Sequence, residues 1–318
     1  MCREWGPPEV VTVEEVPDPS PGPGEVVVAV EAAAVNFPDV LIVANGYQVS
    51  VPVPFTPGSE LAGAVVAVGS GVDGLVAGDR VFGSVMVGAF AEQAVVAATS
   101  LTIVPDGVDG KAAAGFGVAY GTAHHSLRSV ADVQPGEWVA VLGAGGGVGL
   151  AGVDVAHALG ARVVAVASTE AKREAARAHG ADVVVDPATD IRDQLKEATG
   201  GGVDVVLDPV GGALSERALR ACRYGSRFVT IGFAAGEIPR IPLNLVLLKG
   251  VAVLGFEMRT FGLHEPEAEA RNRVELLELL ASGRISPHVG AEFALADTAA
   301  ALRHVADGKA IGKVLVVP

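Results

Sequence analysis

Short apolar runs alternate with helix-like patterns through the middle of the chain, from about residue 119 to residue 261. The apolar runs are candidate strands at residues 138–142, 163–167, 183–185, 203–207, 227–231 and 251–254. Amphipathic or helix-forming patterns lie between them, for example at 150–159 and 170–179, and Gly180 follows the second as glycine often follows a helix. This alternation predicts an α/β fold whose core is a doubly wound parallel sheet.

The flanking segments have a different pattern. Residues 25–105 contain short β-branched runs broken by Gly and Pro, at 26–30, 63–68, 80–82 and 94–96, which predicts a twisted, partly barrel-like β domain. After about residue 261 only two helical patterns (267–282 and 297–306) and one apolar run (313–317) remain, too few to bury a core alone. We therefore expect a discontinuous first domain, residues 1–118 with 262–318, and a second domain at 119–261.

Composition and charge narrow the classes of function. Half of the 318 residues are apolar and the formal net charge is −14, so a compact fold is expected and a phosphate-backbone partner is disfavoured. Nucleic acid is therefore not expected as a partner. A membrane is not expected either, because no apolar segment reaches the roughly 20 residues of a spanning helix. The start shows no leader pattern, which favours the cytoplasm. Cys2 and Cys222 are too few for a disulfide framework or a four-cysteine zinc lobe.

A glycine-rich segment follows the first strand of the alternating region. It contains Gly143, Gly146, Gly147, Val148 and Gly149, directly before a helical pattern. Glycines permit a tight turn and close approach of a pyrophosphate, and a helix N-terminus offers unpaired N–H groups. The alternative is an ordinary strand-to-helix turn that needs small residues. The position after the first of six strands favours a dinucleotide site.

The end of the next strand indicates which dinucleotide binds. An acidic residue there would hold the ribose 2′-hydroxyl and disfavour a 2′-phosphate, but this chain has Ala167 and Ser168. Lys172, one helical turn further, supplies a positive charge. We therefore expect a ribose site without a carboxylate and a preference for NADPH. The alternative for Ser168 is capping of the helix that begins near Glu170.

Several segments spread over nearly the whole chain carry a resemblance to one family: residues 34–39, 54–63, 77–81, 121–123, the glycine turn, 208–212 and 231–233. Together they resemble the zinc-free, quinone oxidoreductase-like medium-chain dehydrogenase/reductases. The resemblance implies a β-rich GroES-like catalytic domain beside a Rossmann domain, and an NADPH-dependent reductase.

The resemblance also implies the chemistry of the site. Zinc members of the superfamily have a Cys and a His where this sequence has Asn36 and Ser59, so no metal is expected. Without a Lewis acid, an electrophilic acceptor such as a quinone is the expected substrate. An enoyl thioester or enone is the nearest alternative acceptor, and a nucleotide-binding protein with little catalysis is an alternative of another class.

The resemblance assigns individual roles as well. Asn36 would lie at the nicotinamide end of a cleft between the domains, with Tyr47 in the substrate part. Thr122 would touch the nicotinamide, and Gly232, Phe233 and Phe256 would flank it. Ordinary alternatives are a turn for Asn36, a cap for Thr122 and core positions for the phenylalanines.

Four further expectations concern the rest of the chain. A tyrosine that helps to hold the 2′-phosphate in some relatives would align near Asp186, which weakens the expected preference for NADPH. The resemblance implies that the chain starts after the family's first strand. Neighbouring His124 and His125 are assigned to structure, because adjacent helical residues do not chelate together. The apolar run 251–254 is the expected edge of a homodimer.

Overall fold

The computed structural model describes all 318 residues, which form two compact units. The first unit comprises Met1–Val118 and Pro287–Pro318, and the second comprises Ala119–Ser286. The second boundary lies later than the expected one at residue 261. Residues 262–286 bond to the second unit: Asn272 Nδ2 donates to Ser129 Oγ (2.7 Å), and the Ser286 N–H donates to Asp154 Oδ2 (2.9 Å). Side-chain contacts of this kind are not visible in a hydropathy pattern.

The first unit is built around one long strand. Its strands, numbered in chain order through both units, are β1 (Glu25–Val35), β2 (Glu60–Val68), β3 (Arg80–Ser84), β4 (Gln93–Ala97), β5 (Leu101–Ile103), β12 (Val289–Ala294) and β13 (Lys313–Val317). The path is β12-β13-β1-β2-β3-β5, and β4 also pairs with β1. Register shifts bend β1 after Val27 and after Val30, as bulges do. The predicted β-rich, GroES-like unit is confirmed.

Few helices accompany this sheet. They are α1 (Phe37–Val43), α2 (Gly110–Ala114), the first residues of α3 (Gly117–His125) and α11 (Thr298–Ala306). Buried side chains of β1, β2 and β13 form the core together with Leu302 of α11. The C-terminal strand β13 pairs antiparallel with β1, so the chain end completes the sheet that the N-terminal residues begin.

The second unit is a six-stranded parallel sheet. Its strands are β6 (Trp138–Leu142), β7 (Arg162–Val166), β8 (Val183–Val185), β9 (Val203–Asp208), β10 (Cys222–Thr230) and β11 (Ala252–Gly255), in the order β11-β10-β9-β6-β7-β8. All five pairings are parallel. This is the predicted doubly wound sheet. β6, its first strand in the chain, lies in the middle, and the strands continue outward from it in both directions, as β7-β8 on one side and β9-β10-β11 on the other.

Seven helices belong to the second unit besides α3. They are α4 (Gly147–Ala158), α5 (Glu170–Ala178), α6 (Ile191–Thr199), α7 (Gly212–Ala221), α8 (Leu243–Lys249), α9 (Met258–His264) and α10 (Pro266–Ala281). The β6 side chains are all buried, because helices cover both faces of such a sheet. None of the helices is both long and apolar enough to cross a lipid bilayer. Both cysteines are free and buried.

Candidate functional site

The glycine turn after β6 forms an uncapped helix N-terminus. Gly143 has a left-handed φ of +61°, and α4 begins at Gly147 with Gly146 as its N-cap and without a capping side chain. A Cβ on Gly149 would lie 2.0 Å from the Gly143 carbonyl oxygen, whereas a Cβ on Gly146 would meet only that oxygen, at 3.6 Å. The turn therefore requires glycine at 149 and leaves open space over 146. Unpaired N–H groups beside such a space fit a pyrophosphate.

The turn after β9 lies against the glycine turn. A Cβ on Gly143 would be 2.7 Å from Val210 Cγ2, and a Cβ on Gly211 would be 3.0 Å from Phe233 Cδ1. The buried Asp208 carboxylate fixes this second turn by accepting hydrogen bonds from the N–H groups of Val210 and Gly211 (2.8 and 2.9 Å). Gly232 packs close to the Pro209 carbonyl. The structure thus brings Gly143 and the Gly232-Phe233 pair to the same edge of the sheet.

Lys172 lies across the glycine turn. A Cβ on Gly145 would be 2.4 Å from Lys172 Cβ, so the lysine stem covers that part of the turn. Burial lowers the pKa of Lys172. The helix cap is Thr169, whose hydroxyl accepts from the Lys172 N–H at 3.3 Å. The capping alternative for Ser168 is therefore wrong, since Ser168 lies one residue too early, and its side chain is exposed.

A carboxylate from the neighbouring strand lies close to the end of β7, where Ala167 and Ser168 themselves carry no charge. Arg173 Nη1 donates to the Ala167 carbonyl (2.9 Å) and is 3.1 Å from Asp186 Oδ2. Asp186 follows β8, and Val166 pairs with Val185 in the sheet. Because carboxyl ends of neighbouring parallel strands meet at one edge, the acid comes from the next strand and not from β7 itself.

Phe256 follows β11, and its N–H donates to the Thr230 carbonyl (3.1 Å) at the end of β10. Thr122 lies one helical turn before His125 in α3, and the His125 ring stacks on Phe256 with centroids 5.9 Å apart. Asn272 Nδ2 lies 2.8 Å from His125 Nδ1. Burial, with a smaller effect of His124, lowers the pKa of His125 to about 4, so its ring is neutral at pH 7. The histidines are buried among helices, in agreement with the structural interpretation.

A buried polar cluster lies at one end of the first-unit sheet. Asn36 follows β1, Glu60 begins β2 and Lys313 begins β13, and the registers Ala33 with Leu61 and Val35 with Val314 bring the three side chains together. Lys313 Nζ donates to Asn36 Oδ1 (2.6 Å) and Glu60 Oε2 (3.0 Å). Asn36 Nδ2 donates to the same Glu60 oxygen at 3.0 Å. Hydrogen bonds therefore fix both ends of the Asn36 amide.

Asp39 adds a second acid close to this cluster. Its Oδ2 accepts from the Asn36 N–H at 2.7 Å, whereas its buried Oδ1 has no hydrogen-bond partner. Burial raises the pKa of Asp39 from 3.8 to about 6, although the Ser59 hydroxyl acts in the other direction and lowers it. Tyr47 lies beyond α1, half-buried against the first-unit core. Its predicted substrate role stays a prediction, as does that of Asn36.

Sequence reasoning missed Glu60, Lys313, Asp39 and Arg173 as parts of these sites. Lys313 opens an otherwise apolar strand, and this one cation in an apolar run was the available signal. Arg173 adjoins Lys172 in a surface helix, where a basic residue usually faces solvent. The positions of these side chains depend on strand register, which the sequence pattern does not specify.

Comparisons with known proteins define the class. Residues 22–106 match the model described as alcohol dehydrogenase GroES-like domain, and residues 147–277 match the one described as zinc-binding dehydrogenase. The first match falls on the β-rich unit, and the second covers the second unit from the start of α4 into α10. The class is thus a two-domain oxidoreductase of the medium-chain dehydrogenase/reductase superfamily.

Individual relatives identify the family. Quinone oxidoreductase-like protein 2 of Bos taurus is 38% identical over 99% of this chain and 91% of its own length. The crystal structure of Escherichia coli quinone oxidoreductase complexed with NADPH has a TM-score of 0.90 and 30% identity, and the match covers 99% of this chain and 98% of that one. An acryloyl-coenzyme A reductase of Sulfurisphaera tokodaii is 29% identical over 98% of both chains. The chain belongs to the quinone oxidoreductase-like family.

Proposed function

We propose that this protein binds NADPH and reduces a quinone or a similar electrophilic acceptor. The observation that carries the proposal is the uncapped α4 N-terminus at the glycine turn, with Lys172 lying across the same turn. A helix N-terminus favours a pyrophosphate, and an ammonium group beside it favours the additional 2′-phosphate. The NADPH complex of the Escherichia coli relative supports this choice of coenzyme.

Each group of residues has a separate task in this proposal. The bound coenzyme supplies a hydride. The N–H groups of Gly147, Val148 and Gly149 would hold the pyrophosphate, and Ser168 with Lys172 would hold the 2′-phosphate. The nicotinamide side would involve Thr122, Gly232, Phe233 and Phe256. The neutral His125 ring stacked on Phe256 limits the movement of that phenylalanine.

Zinc independence is supported by the donor atoms of the first-unit cluster. Asn36, which stands where zinc relatives have a cysteine ligand, accepts a hydrogen bond from the Lys313 ammonium at 2.6 Å. Its oxygen is thus already occupied, and Asn36 and Ser59 are weak zinc ligands. No group of three or more His, Cys, Asp or Glu side chains is arranged to hold a metal ion. Metal analysis that finds one zinc per chain after purification would contradict the proposal.

The choice of acceptor requires a direct assay. NADPH oxidation should be followed with a benzoquinone series and, in parallel, with acryloyl-coenzyme A and a simple enone. Turnover of quinones is the expected result. Turnover of the thioester alone would establish the alternative, an enoyl-thioester reductase, which the similarity to the acryloyl-coenzyme A reductase favours. Tight binding of NADPH without oxidation by any acceptor would instead indicate a nucleotide-binding protein with little catalysis.

Tyr47 is the proposed hydrogen-bond donor to the acceptor. Tyr47→Phe should lower kcat/KM for the acceptor about tenfold or more and leave the Kd of NADPH unchanged. Tyr224→Phe is the matched control, because Tyr224 is 82% exposed and lies in the second unit. Equal effects of the two substitutions would exclude the proposed role of Tyr47.

We also propose a homodimer formed through β11. This strand is the edge of the second-unit sheet, and apolar side chains are exposed on it and on the preceding helix: Leu243, Leu247, Leu248 and Val253. An uncovered edge strand presents unpaired N–H and C=O groups, and a second copy would satisfy them around a two-fold axis. Light scattering should report a dimer for the unmodified chain and a monomer for Leu247→Glu. Val76→Glu, at an exposed first-unit valine, is the control. A wild-type monomer would refute the proposal.

A further inference from the structure

We propose that the ion pair between Arg173 and Asp186 sets how strongly the chain prefers NADPH over NADH. In this proposal Arg173 is a second cation for the 2′-phosphate, and Asp186 is its internal counterion. Asp186 opposes the phosphate of NADPH and provides a carboxylate for the free 2′-hydroxyl of NADH. The inference rests on the proposed function, since it concerns the same coenzyme site.

The location of the pair follows from the sheet. In a doubly wound sheet the residues that distinguish the two coenzymes lie at the end of the second strand, which is β7 in this unit. The Ala167 N–H donates to the Val185 carbonyl at 3.0 Å, so the segments after β7 and β8 run side by side. Asp186 is the first residue after β8. A carboxylate therefore lies beside the position where the ribose is expected.

The guanidinium of Arg173 is held on two sides. Nη1 donates to the Ala167 carbonyl (2.9 Å) and lies 3.1 Å from Asp186 Oδ2, whereas Nε donates to Glu170 Oε2 (3.0 Å). The arginine side chain is only 15% exposed, while those of Glu170 and Asp186 are 61% and 37% exposed. The hydrogen bond to the backbone carbonyl does not depend on either acid. Removal of Asp186 would thus release positive charge without releasing the arginine.

Asp186 is held as well. Its Oδ1 accepts a hydrogen bond from the Ala188 N–H at 2.9 Å, in a turn formed by its own backbone. The carboxylate consequently stays at the end of β8 whether or not Arg173 is charged or present. A 2′-phosphate carries nearly two negative charges at pH 7, so a fixed carboxylate beside it weakens its binding, and a neighbouring guanidinium strengthens it. The carboxylate and the guanidinium therefore have opposite effects on the binding of NADPH, whereas NADH has no 2′-phosphate on which they could act.

The experiment measures binding and needs no acceptor. The Kd values of NADPH and NADH are determined by fluorescence titration for the wild type, Asp186→Asn, Arg173→Gln and the control Glu174→Gln. Glu174 lies on the same helix, is 64% exposed and pairs with Arg177, so its substitution removes one negative charge without contacting Arg173. Circular dichroism and a thermal denaturation curve verify that each variant is folded.

Asp186→Asn should increase the ratio of the NADH Kd to the NADPH Kd about tenfold, through tighter binding of NADPH and weaker binding of NADH. Arg173→Gln should change the ratio in the opposite direction by a similar factor, because Asp186 and Glu170 then face the phosphate without a counterion. Ratios for both variants within about twofold of the control, with both nucleotides still bound, would overturn the inference and leave the proposed function intact. A wild-type chain that binds neither nucleotide would overturn the proposed function and this inference with it.

Discussion

The substitution Asp39→Asn tests the electrostatics of the first unit. Asp39 is buried, one of its two carboxylate oxygens has no partner, and burial raises the pKa of the group from 3.8 to about 6. An asparagine at this position has nearly the same shape and retains an oxygen that accepts from the Asn36 N–H. The substitution thus removes the ionised form while it preserves the hydrogen bond that shapes the start of α1.

The sign of the effect follows from proton linkage. Since the pKa of Asp39 is higher in the folded chain, the folded state binds more protons between about pH 4 and pH 6. The contribution of Asp39 to stability is therefore fully present below pH 4 and is lost as the pH rises through about 6. The complete loss amounts to about 3 kcal/mol, and about 2 kcal/mol of it falls between pH 4.5 and pH 8.

Urea denaturation at a series of pH values measures this effect. The free energy of unfolding of Asp39→Asn, minus that of the wild type, should increase by about 2 kcal/mol from pH 4.5 to pH 8. Asp109→Asn is a control of equal charge change at an exposed helix cap of the same unit. A difference for Asp39→Asn that stays constant with pH would refute the reasoning.

Further predictions concern the glycine turn and the buried ion pair. Gly149→Ala places a Cβ 2.0 Å from the Gly143 carbonyl oxygen, so denaturation should show a less stable fold and titration should detect no NADPH binding. Gly146→Ala has space for its methyl group in the free protein and should change stability by less than about 0.5 kcal/mol, while the Kd of NADPH rises at least tenfold. Unchanged binding in either variant would contradict the proposed cradle. Lys313→Met leaves the Glu60 carboxylate buried without its cation and should cost about 3–5 kcal/mol in urea denaturation, most of which Lys313→Met with Glu60→Gln should restore. A double variant no more stable than the single one would argue against the pairing.

The sequence pattern predicted much of the fold, because β-branched runs bounded by glycine leave few alternatives. The six parallel strands were found in their order along the chain, and the bounds of β6 and β8 agree with the structure. The assignment of α10 failed for a physical reason. Its amphipathic pattern shows that one face is buried but not against which unit, and here Asn272 is hydrogen-bonded to Ser129.

The candidate site likewise has a part that the sequence predicted and a part that it did not. The glycine turn is local in sequence, so its residues and its helix were predicted together. The polar cluster joins positions 36, 60 and 313, and the edge that we propose to distinguish the two coenzymes joins positions 167, 173 and 186. Contacts between side chains so far apart in sequence depend on which strands are neighbours and on their register. The hydrophobic periodicity of the sequence gives no information on either.

The position of the last strand has a consequence for synthesis of the protein. β13 lies between β12 and β1 in the first-unit sheet, and Lys313 is the counterion of a glutamate near the beginning of the chain. During synthesis on the ribosome, the edge of β1 that pairs with β13 therefore stays open, and Glu60 lacks its cation, until β13 has been made. The second unit needs no such delay, since all six of its strands emerge earlier. A chain that stops before β13 would consequently contain every strand of the second unit but lack a strand from the middle of the first-unit sheet.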